Sequence, residues 1–258
     1  MSRLTSKDLA AARRRLLQMH YESGVGHLGG ALSCLDAMLV LFHEHLGEGD
    51  EFVLSKGHAV SALYTTLWSL GELADEDLRT FAQDGTLLAG HPPINGIDRI
   101  RFATGSLGHG FSLASGIAMA CRLLSENSQV FCLTSDGEWQ EGSTWEALIF
   151  ARHQRLDNLT VLVDDNGLQA FGSTAEVASM TPLEARISGF GVDVIAVDGH
   201  DLDAIRCALS NPQECFRIII FRTIKGFRVS AMENRLESHY QSLTDEQYRA
   251  ATEEAGPP

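Results

Sequence analysis

Val130-Phe131-Cys132-Leu133-Thr134-Ser135-Asp136-Gly137-Glu138 and, about thirty positions further on, Leu159-Thr160-Val161-Leu162-Val163-Asp164-Asp165-Asn166-Gly167 share one layout. Each opens on a short apolar run rich in β-branched residues, which predicts a buried strand. A helical pattern lies between them, so the two runs form a βαβ unit of parallel, neighbouring strands. Asp136 and Asn166 then fall just past the carboxyl ends of the strands, at the edge where open α/β sheets bind ligands. A carboxylate and a carboxamide offer hard oxygens of the kind Mg²⁺ takes, with water and phosphates completing its shell. Gly137 lets the backbone approach a phosphate. Either half alone also reads as a turn, since Asp-Gly and Asp-Asn-Gly are strong turn formers. At corresponding ends of two strands in one unit, they favour a metal–diphosphate site.

Outward from this unit, strands and helices continue to alternate. Strands are expected at 129–134, 159–163, 192–197 and 216–222, with helices at 141–154, 182–188 and 201–209. The pattern implies an α/β fold with a doubly wound, mainly parallel sheet and helices on both faces. Towards the amino terminus, helices are expected at 6–20, opening at Ser6, at 31–45 and at 59–70, with a short one capped by Asp75 and running to about 83. Residues 85–107 are rich in Gly, Pro, Asn and Thr, and so form a long loop of the kind that carries function. A small-residue helix follows at 109–124. No repeat and no linker divides the chain, which is expected to be one domain over 1–258.

The bulk properties narrow the class. With 258 residues, 44% of them hydrophobic, the chain can bury one sizeable core. A formal net charge of −14 argues against nucleic-acid binding. No apolar run approaches membrane-spanning length, and the amino terminus has no signal-like apolar core. The cysteines, at 34, 121, 132, 207 and 215, are scattered and form no Cys-x-x-Cys pair. Cys121 and Cys132 fall in apolar patterns and read as core fillers. This usage fits a cytoplasmic protein.

Five of the ten histidines directly follow glycine: His27, His58, His91, His109 and His200. Chance placement expects about one. Imidazoles on glycine-bent loops suit a polar cleft that handles phosphates and hydroxyls. A Gly-His pair is also an ordinary loop dipeptide, and His200, in a turn before a helix, is read that way.

These segments together resemble one family. Gly-Asp-Gly followed after about thirty residues by Asn is the thiamine diphosphate motif, to which Ser135-Asp136-Gly137 and Asn166 are similar. More narrowly, the chain resembles the amino-terminal half of transketolases. The resemblance runs through Ser23-Gly24-Val25-Gly26-His27-Leu28-Gly29-Gly30, Leu54-Ser55-Lys56-Gly57-His58, Gly90-His91-Pro92, Thr104-Gly105-Ser106-Leu107-Gly108, Asp136-Gly137-Glu138-Trp139-Gln140-Glu141-Gly142, Asp165-Asn166-Gly167-Leu168, Val197-Asp198-Gly199-His200-Asp201 and Met232-Glu233-Asn234. The Gly-His-Leu-Gly-Gly-Ala-Leu-Ser form is nearest to transketolases split into two polypeptides.

The resemblance implies a thiamine diphosphate-binding fold in its diphosphate-binding domain. It implies that Asp136, Asn166 and the carbonyl of Leu168 hold Mg²⁺, or another divalent cation such as Ca²⁺ or Mn²⁺. It places Gly105 and Leu107 against the aminopyrimidine, His58 near the diphosphate, and Gly137 at the phosphates. His27, His58, His91 and His239 are the implied substrate-handling, catalytic histidines. Glu141 matches a residue at the subunit interface, beside the cofactor. His109 stands where glutamine is common and Ser135 where glycine is common, both expected close to the cofactor. Around His239, Glu237, Ser238 and Tyr240 depart from the usual Trp-His-Gly context.

Thiamine diphosphate performs the carbon–carbon chemistry itself, and the protein binds and orients it. In the family, a glutamate that activates the cofactor belongs to a pyrimidine-binding domain. That domain and the carboxy-terminal domain are expected to lie outside this chain, on a partner polypeptide, in an α2β2 heterotetramer. The expected reaction is two-carbon ketol transfer from a ketose or ketose phosphate to an aldehyde. His109, Ser135 and the surroundings of His239 keep open an acyloin condensation or two-carbon transfer onto a non-sugar acceptor. A non-catalytic regulatory subunit is a third reading, against which the joint presence of Asp136, Glu141 and Asn166 speaks.

Overall fold

In the computed structural model, residues 3–94, 96–211 and 215–256 are described. Five strands form one parallel sheet: β1 (Glu51–Leu54), β2 (Val130–Ser135), β3 (Leu159–Asp165), β6 (Asp193–Asp198) and β7 (Arg217–Arg222). Their order is β1-β2-β3-β7-β6. The expected pair is in register, with Val130 opposite Leu159 and Ser135 opposite Asp164. After β3 the chain crosses to the far edge, lays down β6, and returns with β7 against β3. Two further strands, β4 (Leu168–Gln169) and β5 (Gly172–Ser173), make a small antiparallel hairpin.

Side chains alternate across a strand, and that alternation builds two cores. Phe131, Leu133, Leu162, Ile219 and Phe221 face one layer. It is made from α1 (Ser6–Ser23), α2 (Leu28–Val40), α3 (Val60–Ser69), α9 (Leu202–Ser210) and α10 (Asp245–Glu254). Val130, Cys132, Val161, Val163 and Ile218 face the other. That layer holds α5 (Gly110–Leu123), α6 (Gly142–Gln154) and α8 (Leu183–Ser188). The fold is therefore doubly wound, as expected. Cys121 and Cys132 are buried, and all five cysteines are free.

Some boundaries differ from the expectation for local reasons. The first helix is capped by Thr5, whose hydroxyl accepts from Asp8 N–H while the Asp8 carboxylate accepts from Thr5 N–H. Helix α2 starts at Leu28, so Gly29 and Gly30 are helical. A Cβ on Gly29 would collide with Ser238 Oγ, and the glycine is there for that close approach. Past Val40 the chain widens into a π-turn over Leu41–His45. The helix expected to run from Asp75 to about 83 ends at Leu78 as α4, and Asp77 caps it through Ala74 N–H. Strand β1 is four residues long, too short for periodicity to reveal. The sequence pattern also leaves α10 and α7 (Thr174–Ala178) unannounced. Among the described residues, no helix is long and apolar enough to cross a membrane.

Candidate functional site

The carboxyl ends of β1, β2, β3 and β7 lie along one edge of the sheet. Polar side chains follow each end within a few residues: Lys56 and then His58, Asp136, Asn166, and Thr223 with Lys225. Of these, His58, Asp136, Asn166 and Lys225 line a cavity of about 290 Å³. His27, His58, His91, His239, Gly105, Leu107, Asp136, Gly137, Glu141, Asn166 and Leu168 all line it. The residues expected from sequence to bind or react are thus brought to one place.

Four imidazoles surround one end. The His27 ring lies 5.8 Å from His58, 5.9 Å from His91 and 4.7 Å from His239, centroid to centroid. His27 has a left-handed backbone, φ 69°, rare for a side chain of this size. It is held by its N–H donating to the His239 carbonyl at 2.9 Å. The 85–107 loop carries His91 in. A Cβ on Gly105 would lie 3.1 Å from the His91 ring, so glycine lets the ring pack on the loop. Burial lowers the pKa of all four. His58 falls well below the ordinary value, helped by Lys56 and His239, and His239 falls to about 4, helped by Lys225. The rings are neutral at neutral pH and can each donate and accept one hydrogen bond.

Asp136, 5% exposed, occupies the other end. Its Oδ1 accepts from Gly137 N–H at 2.8 Å and its Oδ2 from Gly167 N–H at 2.7 Å. Burial first, then the Asp164 and Asp165 carboxylates, push its pKa up to about 7. Among the described residues Lys56 and Lys225 act on Asp136 only at a distance, without an ion pair, and a bound cation would supply a direct positive partner. Asn166 Oδ1 accepts from Leu168 N–H at 3.0 Å. A carboxylate, a carboxamide and a main-chain carbonyl could therefore hold a hard cation together. Among the described residues, no three His, Cys, Asp or Glu side chains gather as a metal site, so the candidate set rests on that mixed donor group. Beside it, Gln169 Nε2 is buried with no hydrogen-bond partner, a spare donor at the cavity wall.

Several residues here are not singled out by sequence reasoning. Lys225 lines the cavity 3.3 Å from His239 Nδ1 and 3.5 Å from the Leu168 carbonyl, and burial lowers its pKa to about 8. Glu138 is fully buried, and burial raises its pKa. It accepts from Ser55 Oγ, from Gly108 N–H at 2.9 Å and from Ser135 N–H at 2.9 Å. It thereby ties the end of β1 and the 105–108 loop to the Asp136 turn. Lys225 carries a detectable signal, because it follows the apolar run of β7 as Asp136 follows that of β2.

One expectation needs correction. His109 is exposed at the start of α5 and does not line the cavity, while Ser135 does. His200 stacks on Phe227 with centroids 3.5 Å apart and accepts from Ile224 N–H, a structural place that matches its reading as a turn residue. Tyr240 packs edge-on to His239 and donates to the Ala170 carbonyl at 3.2 Å, steadying the cavity lip at Phe171, which is 83% exposed.

Residues 6–257 match the family described as transketolase, thiamine diphosphate binding domain. The chain is 37% identical over 254 residues to an apulose-4-phosphate transketolase subunit from Phocaeicola vulgatus, covering 94% of this chain and 90% of that one. It is 36% identical to a 6-deoxy-6-sulfo-D-fructose transketolase subunit from a Clostridium species, covering 94% and 92%. A solved transketolase from Leishmania mexicana superposes with a TM-score of 0.91 at 25% identity. That match takes in 99% of this chain but only 42% of the longer one.

Proposed function

The chain belongs to the transketolase family, as a thiamine diphosphate-binding domain, and from that membership we propose that it is the diphosphate-binding subunit of a two-chain transketolase. The reaction is two-carbon ketol transfer from a ketose or ketose phosphate to an aldehyde. A partner polypeptide supplies the pyrimidine-binding domain and its activating glutamate. One observation carries the proposal: a single cavity is lined by Asp136, Asn166 and Leu168 at one end and by four imidazoles at the other. Asp136, Asn166 and the Leu168 carbonyl would hold Mg²⁺, and Lys225, Gln169 and His58, which line the same cavity, would donate to a diphosphate. When bound, thiamine diphosphate supplies the carbon–carbon bond chemistry. The histidines would accept and donate hydrogen bonds to the hydroxyls of a sugar, and Gly105 and Leu107 would support the cofactor's ring. The Phocaeicola relative is itself named as one subunit of its enzyme, which supports a partner.

Transfer onto a non-sugar acceptor finds less support. His109 is outside the cavity, which leaves Ser135 and the Tyr240 contact with His239 as departures at the site. The deciding experiment is mass spectrometry of the cofactor adduct in the reconstituted two-chain enzyme, over a panel of ketoses and ketose phosphates. A two-carbon adduct from at least one ketose is expected, and none from any of them would overturn ketol transfer.

The two ends of the cavity should separate in mutants. His91→Ala is expected to lower kcat by about tenfold or more, with cofactor affinity within about twofold, as removal of a positioned proton-transfer or hydrogen-bonding group does. His58→Ala, beside Lys56 and Gly30, should weaken the cofactor as well. Titration of thiamine diphosphate by fluorescence quenching, paired with turnover, checks both. Equal behaviour of the two variants, with normal cofactor affinity, would remove the distinction.

A further inference from the structure

The Asn166 carboxamide can turn either end toward a cation, and only its oxygen can bind one. We propose that Asp164 is the positioning residue that turns Asn166 Oδ1 to the cavity, and that Lys56, Ser33 and Thr223 hold Asp164 for that task. The inference rests on the metal site proposed above.

Asp164 lies in β3 and is 1% exposed. Its Oδ2 accepts from the Lys56 ammonium, from Ser33 Oγ at 2.6 Å and from Asn166 Nδ2 at 3.2 Å. Its Oδ1 accepts from Thr223 Oγ1 at 2.5 Å. Lys56 is fully buried and also donates to the Gly30 carbonyl at 3.0 Å. An ammonium has donors only, so the carboxylate facing it can only accept. Lys56, Ser33 and Thr223 all present donors to the two Asp164 oxygens, so both oxygens are already committed as acceptors. The end of Asn166 that meets Asp164 must therefore be the NH₂. Its other end meets Leu168 N–H, which can only donate. A flipped amide would set oxygen against carboxylate and NH₂ against N–H, losing both bonds. The network thus leaves a free lone pair of Oδ1 for the cation. Amide orientation is settled here by neighbours of fixed donor or acceptor character, the ground on which such assignments rest.

Asp164→Asn nearly keeps the shape and removes the acceptor-only constraint. In the ¹⁵N-labelled, metal-free chain, the Asn166 side-chain amide pair is identified by its loss in Asn166→Asp. Its exchange with water should be at least tenfold faster in Asp164→Asn, with shifted resonances. In the reconstituted complex, the Mg²⁺ concentration that half-saturates thiamine diphosphate binding should rise at least tenfold. Because Asp164→Asn leaves Lys56 buried without its partner, a Lys56→Met/Asp164→Asn variant removes both charges together. It carries the same two measurements if the single variant does not fold. A folded variant with an unmoved amide pair and a Mg²⁺ midpoint within twofold overturns the proposal. So does a lowered melting temperature with an unmoved midpoint, which marks a merely structural role. If the native complex binds thiamine diphosphate without Mg²⁺, the metal-site reading fails instead, and the amide exchange of the metal-free chain still decides the role of Asp164.

Discussion

An Asp136→Ala variant is expected to lose Mg²⁺-dependent binding of thiamine diphosphate, by about a hundredfold or more, while the sheet stays folded. Asp136 sits one residue past β2, outside the alternating apolar core of that strand. Removing it leaves the N–H groups of Gly137 and Gly167 without their acceptor, a cost of about 1–3 kcal/mol each at most. It also removes a buried carboxylate whose charge burial disfavours, which offsets part of that cost. Folding should therefore survive, and the charge that a divalent ion would meet is gone. Calorimetric titration of the reconstituted complex measures the affinity, and circular dichroism checks the fold. An unchanged spectrum together with unchanged affinity would remove Asp136 from the site.

The second large effect is dependence on another polypeptide. The purified chain is expected to show no ketol transfer, and addition of a pyrimidine-binding partner should restore it. Several features support this. The solved Leishmania transketolase is matched over only 42% of its length. The cavity lip at Phe171 is exposed, and Leu123 and Leu124 at the end of α5, with Ile149 and Phe150 on α6, are exposed too. Bare apolar residues of this size suit a docking face. Two copies of each chain about a two-fold axis would give two equivalent cavities in a closed assembly. Glu141 precedes α6, exposed at the cavity rim, where it could meet that partner. Glu141→Gln should then weaken assembly in sedimentation velocity, by about tenfold in dissociation constant. A role confined to the first turn of a helix predicts a stability loss of only about 0.3–1 kcal/mol. Full ketol transfer by the lone chain would end the two-chain reading.

Much of the fold is legible because its strands are apolar and bounded by turn residues. Val130–Thr134 and Leu159–Val163 announce themselves, and their polar ends point to the binding edge. Strand β1 is not legible, since Phe52-Val53-Leu54 is three apolar residues between charged and polar neighbours. The glycine-flanked histidines His27, His58 and His91 point to the cavity because glycine loops bring backbones and rings close. What sequence does not show is which charges are buried. Lys56, Asp164 and Glu138 lie within the quoted stretches with no sign there that they are buried, because solvation is the usual fate of a charge. Only the convergence of four strand ends gives them partners. His109 illustrates the opposite error. It lies near Gly105 and Leu107 in sequence, but α5 starts there and carries it to the surface.

The hydrogen bond from His27 N–H to the His239 carbonyl, with that from Gly226 N–H to the Gly29 carbonyl, has a kinetic side. It joins segments near opposite ends of the described chain, across a loop whose closure entropy is among the largest available to it. The stretch after β7 has little regular structure of its own before α10, and so depends on this seam. Contacts of such sequence separation form late in folding. The cavity is thus expected to be completed late in folding, and a ligand held between Asp136 and His239 would cross-link these two segments. Amide exchange should slow most over 224–243 when thiamine diphosphate and Mg²⁺ are added to the assembled enzyme, well beyond the residues that touch them.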